Sequence, residues 1–159
     1  VFLNEALAKL KNLKSKAART EKLINECAVH FIDETPEFSY EDEMRVRSKL
    51  QLEILDLKSK IQQTNATTMV HFDGRDITLS ELVLINANLR IEMAFLNVQS
   101  QHTASETNRY SSRTKDDVKK VLAQGCDKAA FRRKIEALEV KKQEVESIMA
   151  AANAATQLK

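Results

Sequence analysis

Glycine occurs twice and proline once in this 159-residue chain, and tryptophan does not occur. So few chain-turning residues exclude an all-β or α/β fold, which needs many tight turns, and leave a handful of long helices. Aromatic residues make up 5%, too few to line a large aromatic ligand pocket. Cysteine appears only as Cys27 and Cys126, which do not make a disulfide framework. Reduced thiols and a cytoplasmic setting are therefore expected. The formal net charge is only +2, which gives no reason to expect nucleic acid or an anionic membrane surface as a partner. No apolar run approaches the roughly 18 residues of a membrane-crossing helix. The start, Val1-Phe2-Leu3-Asn4-Glu5, lacks the basic-then-apolar layout of a secretion signal.

What the chain does contain is helical periodicity. Leu3, Leu10, Ala17, Ile24 and Phe31 fall seven apart, with Ala6, Leu13, Thr20 and Cys27 as a second row beside them. Such a seam predicts a helix over about 3–33, packed along its length. Thr35-Pro36 stops it, and Ser39 caps a second helix over about 39–65, with Asp42 and Glu43 in its first turn. Tyr40, Met44, Leu50, Ile54, Leu57 and Ile61 form its main stripe; Val46, Leu52 and Leu55 lie off it. Two strips predict two neighbours.

The period then changes. Asp73-Gly74 between short β-prone runs predicts a hairpin over about 67–77, because both central residues of a type I′ turn need positive φ. Thr78-Leu79-Ser80-Glu81 reads as a capping box opening a third helix over about 79–102, with Leu82, Ile85, Leu89, Met93 and Leu96. Thr103–Ser112 is polar and reads as a connection; Val118–Leu122 fits either a strand or a helical turn. Asp127 caps a last helix over about 128–156, with Phe131, Ile135, Leu138, Val145, Met149 and Ala152. The expected fold is mainly α: one domain over 1–159, an antiparallel bundle of four long helices with a small hairpin between helices two and three.

Signs of chemistry are sparse. Cys27 and His30 share a helix at i, i+3, but zinc needs three or four ligands and His71 and His102 lie elsewhere. Glu26 and His30 are four apart, not the three of a di-iron bundle. Neither a phosphate loop nor a Gly-x-Ser-x-Gly turn occurs. Asp116 and Asp117 have no neighbouring His, and Arg132-Arg133-Lys134 lacks the interleaved aromatics that stack bases. Residues 33–56 hold eight acidic and three basic residues, and residues 109–134 nine basic and three acidic. Both read first as solvated surface, since exposed ion pairs contribute only ~0–1 kcal/mol each. Neither a cofactor, a metal nor a small-molecule substrate is expected. An enzyme would have to use the hairpin, with His71, Asp73 and Arg75.

Three motifs follow one another in the middle of the chain: Ile61-Gln62-Gln63-Thr64-Asn65-Ala66-Thr67-Thr68, then Asp73-Gly74-Arg75, then Thr78-Leu79-Ser80-Glu81-Leu82. On these the chain shows a resemblance to the septicolysin-like family of small bacterial proteins. The resemblance singles out Thr64, Asn65, Thr67, Asp73, Gly74 and Arg75 as a turn motif. Arg109-Tyr110-Ser111 and the close at Ala151-Ala152-Asn153 resemble the family at further points. It implies a helical fold with a small β element and a haemolysin-like, membrane-active role.

Helix one carries Lys9, Lys11, Lys14, Lys16, Arg19 and Lys22, but also Glu5, Glu21 and Glu26. A narrow apolar stripe under mixed charge suits protein partners better than a bilayer. The expected function is a non-enzymatic, self-assembling structural protein, a homo-oligomer held by helix packing. Its candidate seam is Leu3, Leu10, Ile24, Phe31, Val46, Leu52 and Leu55. Lysis of membranes is the alternative.

Overall fold

In a computed structural model, residues 1–29, 31, 33, 37–101 and 127–159 are described. They contain helix α1 (Leu3–Cys27), helix α2 (Tyr40–Thr67), strands β1 (Met69–Phe72) and β2 (Arg75–Thr78), helix α3 (Leu79–Gln101) and helix α4 (Lys128–Ala155). The chain is thus mainly helical, with a two-stranded hairpin between the second and third helices, as expected. It divides into two compact units, Val1–Ser80 with Met149–Lys159, and Glu81–Ile148. Expectations for His30, Pro36, Thr103–Ser112, Val118–Leu122 and Cys126 lie outside the described residues.

In the first unit, α1 packs along α2. Its buried positions are Leu3, Ala6, Leu13, Ala17, Thr20, Ile24 and Cys27, with Leu10 half-buried, an unbroken alternation of three and four. Ala6, Ala17 and Thr20 are small, so the two backbones can approach. On α2 the matching row is Arg47 and Leu50, half-buried, then Ile54, Leu57, Ile61 and Thr64, buried. Arg47 Nε donates to Glu21 Oε1 at 3.1 Å, while Ala6 and Leu13 share a cleft with Leu57. Both place the helices antiparallel.

This register explains where α1 stops. The helix ends at Cys27, not near Asp33 as the sequence predicts. With Glu21 beside Arg47, Cys27 falls opposite the first turn of α2, so Ala28 and Val29 lie past the start of that helix. Val29 and Phe31 are exposed, and Val29 is β-branched, which adds no helix propensity of its own. The row on α2 also passes Tyr40 and Met44 by. Both were expected on the packed stripe, and both are exposed.

The caps follow local chemistry. Phe2 N donates to Glu5 Oε2 at 2.8 Å, the reciprocal half of a capping box. Ser39 Oγ accepts from Asp42 N at 3.4 Å, above a first turn carrying Glu41, Asp42 and Glu43 where the helix dipole favours negative charge. Asp127 Oδ1 accepts from Ala129 N at 2.8 Å at the start of α4. Thr78 stands immediately before α3, where the sequence predicts its cap.

β1 and β2 pair antiparallel, Met69 with Thr78 through Phe72 with Arg75. Asp73 and Gly74 both have positive φ, 54° and 74°, as the type I′ turn demands. One face carries Val70, Phe72 and Ile77, the last two buried; the other carries His71 and Asp76, exposed. Nothing stands within 4 Å of where a Cβ on Gly74 would sit, so only the backbone conformation restricts that position. Gly74→Ala should therefore destabilise by about 1 kcal/mol, and Gly74→Asn by less, since Asn tolerates positive φ. Urea unfolding tests this: the midpoint falls while the slope stays constant.

Candidate functional site

Thr64 is fully buried, and its hydroxyl is used twice. Oγ1 donates to Lys60 O at 2.8 Å and accepts from Lys159 N at 3.1 Å. Its carbonyl accepts from Thr68 N at 3.0 Å, Thr68 Oγ1 at 2.8 Å and Thr67 Oγ1 at 3.3 Å. Thr67 Oγ1 in turn accepts from Lys159 Nζ at 2.8 Å. Thr68 O receives Leu79 N at 2.8 Å, which carries the pairing one step beyond the hairpin. Phe2 and Gln157 form an antiparallel bridge, with Leu3 N to Thr156 O and Leu158 N to Val1 O, each 2.9 Å. Three threonines thus join the end of α2, the hairpin and the terminal residues. They also hold α2 helical to Thr67, although Thr-Asn-Ala-Thr-Thr has poor helix propensity.

The other residues of the turn motif do different things. Asn65 is half-buried, and its enclosed Oδ1 has no hydrogen-bond partner among the described residues. Asp73 and Gly74 make the turn, and Arg75 pairs with Phe72 on an exposed strand end. His71 Nδ1 lies 2.8 Å from Asp76 Oδ1, with both side chains largely in solvent. Beside the chain ends, a cleft of about 280 Å³ is lined by Leu13, Leu57 and Leu158 together with Lys9, Glu53, Asp56 and Lys60. Lys60 is tied to Asp56 at 2.8 Å, so the lining carries both signs and favours no particular ion. Among the described residues no three of His, Cys, Asp and Glu gather as metal ligands, and no helix is long and apolar enough to cross a membrane. Cys27 is a buried free thiol.

The candidate seam residues divide. Leu3 and Ile24 are buried and Leu10 half-buried within this chain, in the row that packs on α2. Phe31, Val46, Leu52 and Leu55 are exposed.

Among the described residues, a long exposed apolar row lies on the part of α3 that belongs to the second unit. That helix has three charged residues in twenty-three, Glu81, Arg90 and Glu92. One face buries Leu79, Leu82, Asn86, Leu89 and Leu96. Two residues advance an α-helix by about 200°, so Leu84 lies opposite Leu82. Leu84, Ile91, Phe95 and Val98 make this opposite row and are 64, 68, 59 and 53% exposed. The sequence reading counted only Leu82, Ile85, Leu89, Met93 and Leu96 on this helix. The missed signal was the lack of charge, since an ordinary solvated face carries Lys and Glu. Of the three charges, Arg90 donates to Glu146 on α4 at 2.8 Å, with Lys142 3.4 Å from the same carboxylate.

No family model matches the chain, and no curated protein matches it. Its fold is similar to the crystal structure of a functionally unknown conserved protein from Corynebacterium diphtheriae. The TM-score is 0.83 at 19% identity, covering 100% of this chain and 99% of that one. At that identity the likeness is one of fold.

Two outcomes follow from these contacts. Thr64→Val keeps the shape but strips the hydroxyl, leaving Lys159 N without its acceptor; a loss of ~1–3 kcal/mol is expected. Faster hydrogen exchange at the Lys159 amide would accompany it. The hydrogen bond from Arg90, and then Lys142, hold the Glu146 carboxyl below its ordinary value against some desolvation. A depressed carboxylate stabilises the fold above the ordinary carboxylate range and stops doing so as pH falls through its lowered value. Glu146→Gln should therefore lower the unfolding midpoint slightly at neutral pH and leave it unchanged in strong acid.

Proposed function

We propose that this protein is a non-enzymatic helical scaffold that associates with copies of itself. The observation that carries this reading is the exposed row of α3, Leu84, Ile91, Phe95 and Val98, on a helix almost without charge. Covering a large apolar side chain contributes ~1.5–3 kcal/mol when complete, hence ~1–2 kcal/mol for one that is about half to two-thirds exposed. Eight such side chains, four from each of two copies, offset a substantial part of the ~4–15 kcal/mol that association costs.

In this reading the four helices form an antiparallel bundle. The α1–α2 pair is a coiled-coil hairpin, supported by the alternation of three and four along both of its buried rows. Leu52 and Leu55 on α2 add a lesser exposed strip. The likeness to the septicolysin-like pattern is part of the same proposal, and the buried, doubly bonded Thr64 supports giving its threonines an architectural role.

Light scattering of the purified protein at micromolar concentration tests the scaffold. A mass that is a multiple of 18.0 kDa is expected, and a clean monomer overturns it. Phe95→Lys should shift the mass toward monomer with the helical circular dichroism unchanged, because Phe95 is exposed within the chain. Dye release from vesicles belongs beside it: leakage would favour the lytic function that the family resemblance implies.

A further inference from the structure

We infer that the exposed face of α3 is covered by the same face of α3 from a second copy, the two helices side by side and pointing the same way. This rests on the self-association proposed above and adds which surfaces meet, in which direction, and what sets the register.

The spacing carries the first step. Leu84, Asn88, Ile91, Phe95 and Val98 are separated by four, three, four and three residues. In heptad terms Leu84, Ile91 and Val98 are d positions, and Asn88 and Phe95 are a positions. A seam of this kind presents the same surface on both copies, so it is complementary to itself.

Asn88 carries the second. It is exposed in the single chain and is the one polar member of the row. Parallel pairing sets a against a, so Asn88 meets Asn88 of the other copy and the two amides hydrogen-bond to each other. Antiparallel pairing sets a against d, so Asn88 meets Val98 and each amide is enclosed against apolar atoms. A buried amide without a partner costs more than the bond it gives up, and a single Asn at an a position is a known device for fixing register and copy number.

The flanks agree. Ala87 and Ala94 occupy the g positions and Glu92 an e position. In a parallel pair g lies across from e, so Glu92 meets small neutral residues and the helices can approach. The antiparallel register that sets Asn88 against Val98 brings Glu92 beside Glu92 of the other copy, two like charges at an apolar seam.

Area decides whether this can hold. At roughly 200 Å² for a fully exposed large apolar side chain, the four residues offer roughly 500 Å² per copy. A pair then buries up to roughly 1,000 Å² before the flanking alanines are counted, about the size a biological interface has to reach.

Cysteine cross-linking tests the arrangement in the full chain, with Cys27 and Cys126 replaced by Ala. Ile91→Cys and Phe95→Cys sit at exposed positions, so neither endangers the fold. Under mild oxidation Ile91→Cys should link to itself, with most of the protein running as dimer without reductant. Differently tagged Ile91→Cys and Phe95→Cys chains, mixed and oxidised, should form at least several-fold less of the mixed product than of the two self-linked ones, because the antiparallel register that sets Asn88 against Val98 also sets residue 91 against residue 95. Preferential mixed linkage means an antiparallel pair and overturns the inference. An oligomer by light scattering that links at neither position overturns it too, but leaves self-association standing through another surface. A monomer removes both. In a second variant, Asn88→Ile added to the cysteine chains, association should persist and mixed linkage should rise. Unchanged linkage would show that Asn88 does not set the direction.

Discussion

The packing of α1 on α2 is the constraint on which the first unit depends. Both helices present buried residues in alternating steps of three and four, from Leu3 to Cys27 on one and from Ile54 to Thr64 on the other. Each row alone is too narrow to hold a helix in water; together they enclose a continuous strip of leucine, isoleucine and alanine. The strip sets length as well as position. Once the Glu21–Arg47 pair fixes the register, α1 has a partner only as far as Cys27, and there it ends.

At its other end the strip closes on a polar residue. Thr64 occupies a row position that an aliphatic residue would ordinarily fill, and it is fully buried. Its burial is tolerable because the hydroxyl both donates and accepts, and because its carbonyl takes hydrogen bonds from Thr67 and Thr68. The result is directional where the aliphatic strip is not. Leucine packing tolerates small slips between two helices, whereas a hydroxyl 2.8 Å from Lys60 O and 3.1 Å from Lys159 N does not. The hairpin starts from this fixed point, and the Asp73-Gly74 turn then directs the chain into α3.

Features that depend on neighbours in the chain were legible in the sequence. The positive φ of Asp73 and Gly74, the Ser39 and Asp127 caps and the order of helices and hairpin all follow from local steric and hydrogen-bonding rules. Features that depend on a distant partner were not. The end of α1 is set by where α2 begins, and periodicity within 1–33 carries no trace of that. Tyr40 and Met44 match a helical period but fall beside the packed row, because Arg47 and Thr64 hold places that an apolar count skips. Thr64 was legible only as part of a motif and as a poor helix former. Its bond to Lys159 joins residues 95 positions apart.

The second row of α3 was hidden for a different reason. Counting apolar residues at one helical phase finds the buried face and stops, and Leu84, Ile91, Phe95 and Val98 then pass as scattered surface residues. Scattered surface leucines are ordinary, since more than half of a protein's accessible surface is apolar. A row at constant phase is not ordinary, and neither is a helix with three charges in twenty-three residues. Elsewhere the chain places charge freely: 30% of its residues are Asp, Glu, Lys or Arg, and α1 alone carries lysines along most of its length. The proposed self-association rests on that contrast between a charged chain and one sparsely charged, exposed helical face. On the proposed pairing Asn88 is what separates a seam from a greasy patch: a patch needs no polar residue, whereas a seam uses one to exclude the wrong register.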